Sequence, residues 1–170
     1  MDGTSKMTMA SLLTVDRVIP RLHARDKQDA LEKLAARIGK QLNLPAQPLK
    51  DAIMRSVELT SFGPGRGVAL PHAFVRGVKT PTAIFARLDP ALDFGAADGS
   101  PTDLVVLLVS SDEKGSTHLQ ALACIARRLR EPKVRAHLRS LREAGSMYVV
   151  LAGDPGLPES VGDTGSPSIA

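Results

Sequence analysis

The chain has no tryptophan, one tyrosine and four phenylalanines, so aromatic residues fill 3% of its 170 positions. That shortage counts against a single-stranded nucleic-acid binder, which needs aromatic faces on which bases stack. It also means that the core has to be built from Leu, Val, Ile and Ala. Cysteine is almost missing. The single Cys124 excludes an internal disulfide framework and fits a reducing compartment. Its neighbours Leu122, Ala123, Ile125 and Ala126 mark it as a partly buried, inert thiol. No stretch approaches the roughly 20 apolar residues of a membrane helix. Met1 to Ala10 hold no long apolar run of the secretory-signal kind, so the expected location is cytoplasmic, without membrane insertion.

Several site chemistries are absent as well. There is no HExxH, no CxxC and no carboxylate at ligand spacing beside a histidine, so no metal is expected. Cys124 follows His118 at a spacing that puts it on another face of a helix. The glycines before His72 match neither the Walker nor the dinucleotide-binding pattern, and no cofactor is expected. Ser61 and Ser116 lack a nucleophile-elbow context, and paired glycosidase carboxylates are not indicated.

What is present reads as one globular domain with 43% hydrophobic residues. Residues 1–11 read as a flexible leader. The Gly-, Pro- and Ser-rich stretch 153–170 reads as a disordered tail. The folded unit is then 12–152. A helix is predicted from Asp26 to Leu42, with Leu31, Leu34, Ala35, Ile38 and Leu42 on one face and Lys33, Arg37 and Lys40 on the other. A second helix follows from about Pro48 to Leu59, then a short strand from Val68 to Leu70. Strands are predicted at Thr82–Leu88 and at Asp103–Val109, the latter an apolar run of the kind buried on both faces. Ser116 or Thr117 then caps a helix reaching Arg130, with Leu119, Leu122, Ala126 and Leu129 as its core stripe. Pro132 starts another helix, with Val134, Leu138 and Leu141 inward. Tyr148 to Leu151 fits either a strand or a short helix. Helices flanking a strand-rich middle predict an α/β sandwich with a mixed β-sheet and helices on both faces.

The net charge of +4 is unevenly spread. Between Arg127 and Arg142 stand Arg127, Arg128, Arg130, Lys133, Arg135, Arg139 and Arg142, with Glu131 the one acid. This is either a solvated helix face or a surface for an acidic partner. Nucleic acid is the least favoured partner.

The densest signal is Phe62-Gly-Pro-Gly-Arg-Gly-Val-Ala-Leu-Pro-His72, a glycine-spaced loop delivering an imidazole behind a proline. Glycines permit close approach and backbone N–H groups turned toward an anion. His118 falls near a helix start, where the macrodipole disfavours the imidazolium and a neutral ring can both donate and accept hydrogen bonds. Such parts suit a phosphoryl group. His23 and His137 receive no role.

Ser61 to His72, Asp93-Phe94, Asp98-Gly99-Ser-Pro101, the strand Leu104–Val109 and His118-Leu-Gln-Ala-Leu-Ala-Cys-Ile-Ala-Arg together resemble the EIIA domain of the mannitol/fructose type in the bacterial phosphotransferase system. The resemblance spans about Leu12 to Ala152. A free-standing domain looks more like the nitrogen-regulatory EIIA branch than a sugar-specific one. It implies a phosphoryl carrier rather than a stand-alone enzyme. By the same resemblance, His72 is expected to accept the group from an HPr-like histidine phosphocarrier, and His118 to hydrogen-bond the phosphoryl oxygens. Signalling then runs through regulatory protein targets such as transporters or sensor kinases. Arg66, Ser61 and the backbone of Gly63, Gly65 and Gly67 complete the expected binding set. Two alternatives stand beside this: a regulatory binding module with weak or lost phosphotransfer, and a sugar-specific EIIA relaying to an EIIB. The first arises because the family's usual Arg-Glu pair falls on Ser56 and Val57, and its Ser-Thr pair on Ser61-Phe62.

Overall fold

The apolar run 104–109 lies at the centre of the molecule. The computed structural model describes residues 7–59, 65–111 and 115–153. Its elements are α1 (Met9–Leu12), β1 (Val18–Leu22), α2 (Lys27–Leu42), α3 (Ala46–Leu59), β2 (Val68–Ala69) and β3 (His72–Phe74). They continue with β4 (Thr82–Leu92), β5 (Thr102–Ser110), α4 (Gly115–Arg130), α5 (Pro132–Ser140) and α6 (Ala144–Ala152). The sheet order is β1-β4-β5-β2, and β3 pairs with β5 further along the same edge as β2. The sheet is mixed: β4 and β5 are antiparallel, while β1 runs parallel to β4, and β2 and β3 parallel to β5. The α/β sandwich expected from the sequence is the observed architecture.

Alternation along β5 divides the core in two. Val105, Leu107 and Val109 pack with α2 and α3 through Leu31, Leu34, Ile38 and Ile53. Leu104, Val106 and Leu108 face the other layer, where Ile125, Leu129, Leu138, Met147 and Leu151 of α4, α5 and α6 close over them. The long helix on the first face has clear ends. Asp26 caps α2 by accepting from the Asp29 N–H at 2.8 Å, and Asn43 terminates it in the left-handed conformation at φ 57°.

The structure corrects several sequence expectations. Residues 9–11, expected in the leader, belong to α1, which is capped by Thr8 and buries Met9 and Leu12. β1 was not foreseen, because Pro20 and Arg21 interrupt its apolar pattern; its place comes from parallel pairing of Val18 with Phe85. Helix α4 starts at Gly115, so Ser116 and Thr117 lie inside its first turn rather than capping it. Its buried stripe is His118, Ala121, Ile125 and Leu129, whereas Leu119 is 65% exposed. Residues 148–151 belong to helix α6. Residues 1–6 of the expected leader and 154–170 of the expected tail lie outside the described residues.

Gly67 carries the strongest local constraint. Its φ of 84° is left-handed, and a Cβ there would stand 2.8 Å from Asp103 Oδ1 and closer still to Arg139 Nη2. Those atoms belong to a bidentate ion pair, with Arg139 Nε and Nη2 each 2.8 Å from the Asp103 carboxylate. Gly67→Ala is therefore expected to lower stability by about 1–3 kcal/mol, from the strained backbone and the displaced pair. Urea denaturation at constant pH measures it.

Candidate functional site

Parallel pairing places the two histidines. β3 lies in register with the end of β5, His72 opposite Leu108 and Phe74 opposite Ser110. Ala73 points into the α2/α3 core, so His72 and Phe74 project to the opposite side, toward α4. Helix α4 begins just beyond the carboxyl end of β5, which brings His118 of its first turns back over that end. The ring centroids of His72 and His118 are 5.4 Å apart and tilted by 51°. Phe74, half exposed, has its ring centroid 4.4 Å from that of His118, the two rings tilted by 41°.

Each imidazole is held by its Nδ1. His72 Nδ1 lies 2.9 Å from the carbonyl oxygen of Leu70. A carbonyl only accepts, so this nitrogen carries a proton, and in the neutral ring Nε2 keeps its lone pair. His118 Nδ1 is hydrogen-bonded to the hydroxyl of Ser110. From α3, the Ser56 hydroxyl donates to the carbonyl of His72 and holds β3 from its open side. Nothing in sequence periodicity announced Ser110 or Ser56 as site residues. Phe74 was findable, standing two positions after His72 on the same strand face.

Of the other expected binding residues, Gly65, Arg66 and Gly67 are not brought to this pair. Gly67 O accepts from the amides of Asp103 and Leu104, while His72 stands opposite Leu108. That separation is about 16 Å along β5 at the usual strand rise. Arg66, at φ 58°, donates its amide to Asp98 Oδ2 at 2.8 Å, and its carbonyl accepts from Arg139. With the Ser100 hydroxyl and amide added, the Arg66 amide holds the Asp98 carboxyl down at about 2. Gly65, Arg66 and Gly67 thus form an anchored turn toward α5 rather than an anion cradle at His72. Ser61 and Gly63 lie outside the described residues.

Other singled-out features have structural duties. Arg135, buried, donates to the carbonyls of Leu129 and Arg130 at the end of α4, and Arg128 donates to Val150 O. Arg127, Arg130, Lys133 and Arg142 remain exposed. Burial pushes the Cys124 thiol up, which keeps it protonated. Among the described residues, no helix is long and apolar enough to cross a membrane.

Burial, and secondarily the His72 ring, lower the pKa of His118 from 6.5. The folded protein therefore holds His118 neutral where an unfolded chain binds a proton. The resulting stabilisation is complete above 6.5 and is lost as pH falls from there through the lowered folded value. Urea midpoints should decline over that window in the wild type and decline less in His118→Gln.

A model of the phosphoenolpyruvate-dependent sugar phosphotransferase system EIIA 2 family matches residues 11–152, and the chain belongs to that family. Within it, the resemblance is to the nitrogen-regulatory EIIA branch. A nitrogen regulatory protein of Bradyrhizobium diazoefficiens is 35% identical over 149 residues, covering 88% of this chain and 97% of that protein. Nitrogen regulatory protein IIA-Ntr from Neisseria meningitidis shares the fold with a TM-score of 0.79 at 24% identity, covering 84% of this chain and 98% of that one. Enzyme IIAMTL from Escherichia coli, solved in complex with phosphorylated enzyme IIBMTL, shares it with a TM-score of 0.70 at 17% identity, covering 84% of this chain and 100% of that one.

Proposed function

We propose that this chain is a cytoplasmic phosphoryl carrier of the nitrogen branch of the phosphotransferase system. His72 takes the group from an HPr-like histidine phosphocarrier. The free and phosphorylated forms then bind regulatory targets, such as transporters or sensor kinases, with different affinity. One observation carries the reading: two imidazoles stand 5.4 Å apart with each Nδ1 already engaged, which leaves both Nε2 atoms for one shared group.

The chemistry follows from that arrangement. The lone pair on His72 Nε2 attacks phosphorus of the donor's phosphohistidine. A new N–P bond forms as the donor's N–P bond breaks, and the donor ring leaves with the electron pair. No proton has to move. The His72 ring gains positive charge, which the Leu70 carbonyl stabilises through Nδ1–H. Charge on the transferring oxygens requires preorganised donors more than covalent assistance, and His118 Nε2–H is placed to supply one.

A second reading, a binding module with weak or lost phosphotransfer, has its own support. Among the described residues, neither ring is hydrogen-bonded or ion-paired to a guanidinium or ammonium group. Ser56, where the family resemblance leads one to expect arginine, gives its hydroxyl to a carbonyl instead. One experiment separates the readings. The protein is mixed with phosphoenolpyruvate and the general phosphocarrier proteins, and the modified residue is mapped by mass spectrometry. Rapid, stoichiometric label on His72 is the expected result. Target binding that ignores the donor, with little label, favours the binding module, and onward passage to an EIIB favours the sugar relay.

A further inference from the structure

We infer that Ser110 is the positioning residue that fixes the tautomer of His118, directing the imidazole proton to Nε2 by donating its own hydroxyl proton to Nδ1. The inference rests on the phosphoryl-carrier reading only for its consequence in transfer; the hydrogen-bond assignment stands on geometry.

Ser110 closes β5 and is 2% exposed, so its hydroxyl is cut off from bulk water. Among the described residues, the one hydrogen-bond partner of that hydroxyl is His118 Nδ1. Two arrangements are possible. If Nδ1–H donated to Ser110 Oγ, the serine proton would be left buried without an acceptor. If Ser110 Oγ–H donates to Nδ1, the proton is used and only hydroxyl lone pairs go unfilled. Unpaired buried donors are rarer than under-used acceptors, so the second arrangement is selected. Nδ1 is then an acceptor, and the neutral ring must carry its proton on Nε2.

Two further contacts make the assignment rigid. The Ser110 carbonyl accepts from the Val75 amide at 2.8 Å, just beyond β3. Ser110 therefore joins the strand bearing His72, through its backbone, to the helix bearing His118, through its side chain. The Phe74 ring packs against His118 at 4.4 Å and limits its rotation about that bond. His72 reaches the complementary state by the opposite device, its Nδ1 donating to the Leu70 carbonyl. One ring presents a lone pair at Nε2 and the other a proton. A nucleophile and a hydrogen-bond donor are thus set side by side from two identical side chains.

The test is nitrogen NMR of the full chain labelled in histidine, unphosphorylated, at a pH where His118 is neutral. His118 is expected to show a hydrogen-bonded, unprotonated Nδ1 and a protonated Nε2. A protonated Nδ1 overturns the inference. In Ser110→Ala, the Nδ1 resonance should move toward that of a free, unprotonated imidazole nitrogen, and the rate of His72 labelling should fall about 10–100-fold, the usual effect of removing such a supporting bond. Ser110→Thr keeps the hydroxyl and should restore both. An alanine variant that folds and leaves the resonance and the rate unchanged overturns the inference. If that variant does not fold, the wild-type and threonine spectra decide alone. Absence of labelling in the wild type, with the expected spectrum, would defeat the carrier reading and leave the Ser110 assignment standing.

Discussion

Replacing His72 with alanine is expected to abolish phosphoryl labelling while leaving the fold intact. The side chain projects from β3 toward α4 and is only partly buried, so its removal opens no closed cavity. The bonds that hold the strand use backbone groups: the Ser56 hydroxyl binds the carbonyl of residue 72, and the Leu108 amide binds that of Pro71. Alanine preserves both. What it removes is Nε2, the nitrogen whose lone pair is kept available by the Leu70 carbonyl. Intact-mass measurement after incubation with phosphoenolpyruvate and the general phosphocarriers reads the result directly. Label that persists in the variant would move the acceptor elsewhere, with His118 the first residue to map.

The second large effect is expected at His118. In the proposed transfer it gives a hydrogen bond to charge on the transferring oxygens, and loss of one such donor is expected to slow the step by about 10²–10³-fold. Affinity for the phosphocarrier should change far less, because the bond forms to the group in flight and not to the partner's surface. Rapid-mixing measurement of His72 labelling in His118→Ala, with phosphocarrier affinity determined in parallel, separates the two quantities. His118→Gln retains an N–H donor and should recover part of the rate. Equal losses in rate and affinity would make His118 a docking residue instead.

The legible parts of the sequence were those in which local pattern and tertiary demand agree. The run Leu104–Val109 is apolar at every position because β5 is covered on both faces, and one strand of the sheet was read correctly from that alone. Asp26 capped α2 as its residue type and spacing indicated. Helix α4 shows where this fails. Leu119 and His118 are adjacent, and hydropathy favours burying the leucine, yet the helix is turned so that the histidine faces the sheet and Leu119 faces solvent. Tertiary packing overrode the apolar pattern at that position. The glycine loop failed differently. Gly65 and Gly67 both have left-handed backbone, with Asp98 close against Gly65 and Arg139 and Asp103 close against Gly67, which is a reason of packing.

The polypeptide by itself determined the sandwich architecture, the family and the two histidines on which the proposed chemistry rests. Local periodicity, caps and a short motif encode these, and each is read within a few residues of chain. Only the tertiary structure decided which groups meet the imidazoles. Phe74 and Ser110 come to the His118 ring through strand register and helix packing, and Ser56 of α3 comes to the backbone carbonyl of His72. The same register carried Arg66 to the other end of β5. Contacts of that kind depend on how distant segments align, and an alignment of two strands by a single residue reverses the face on which every side chain stands.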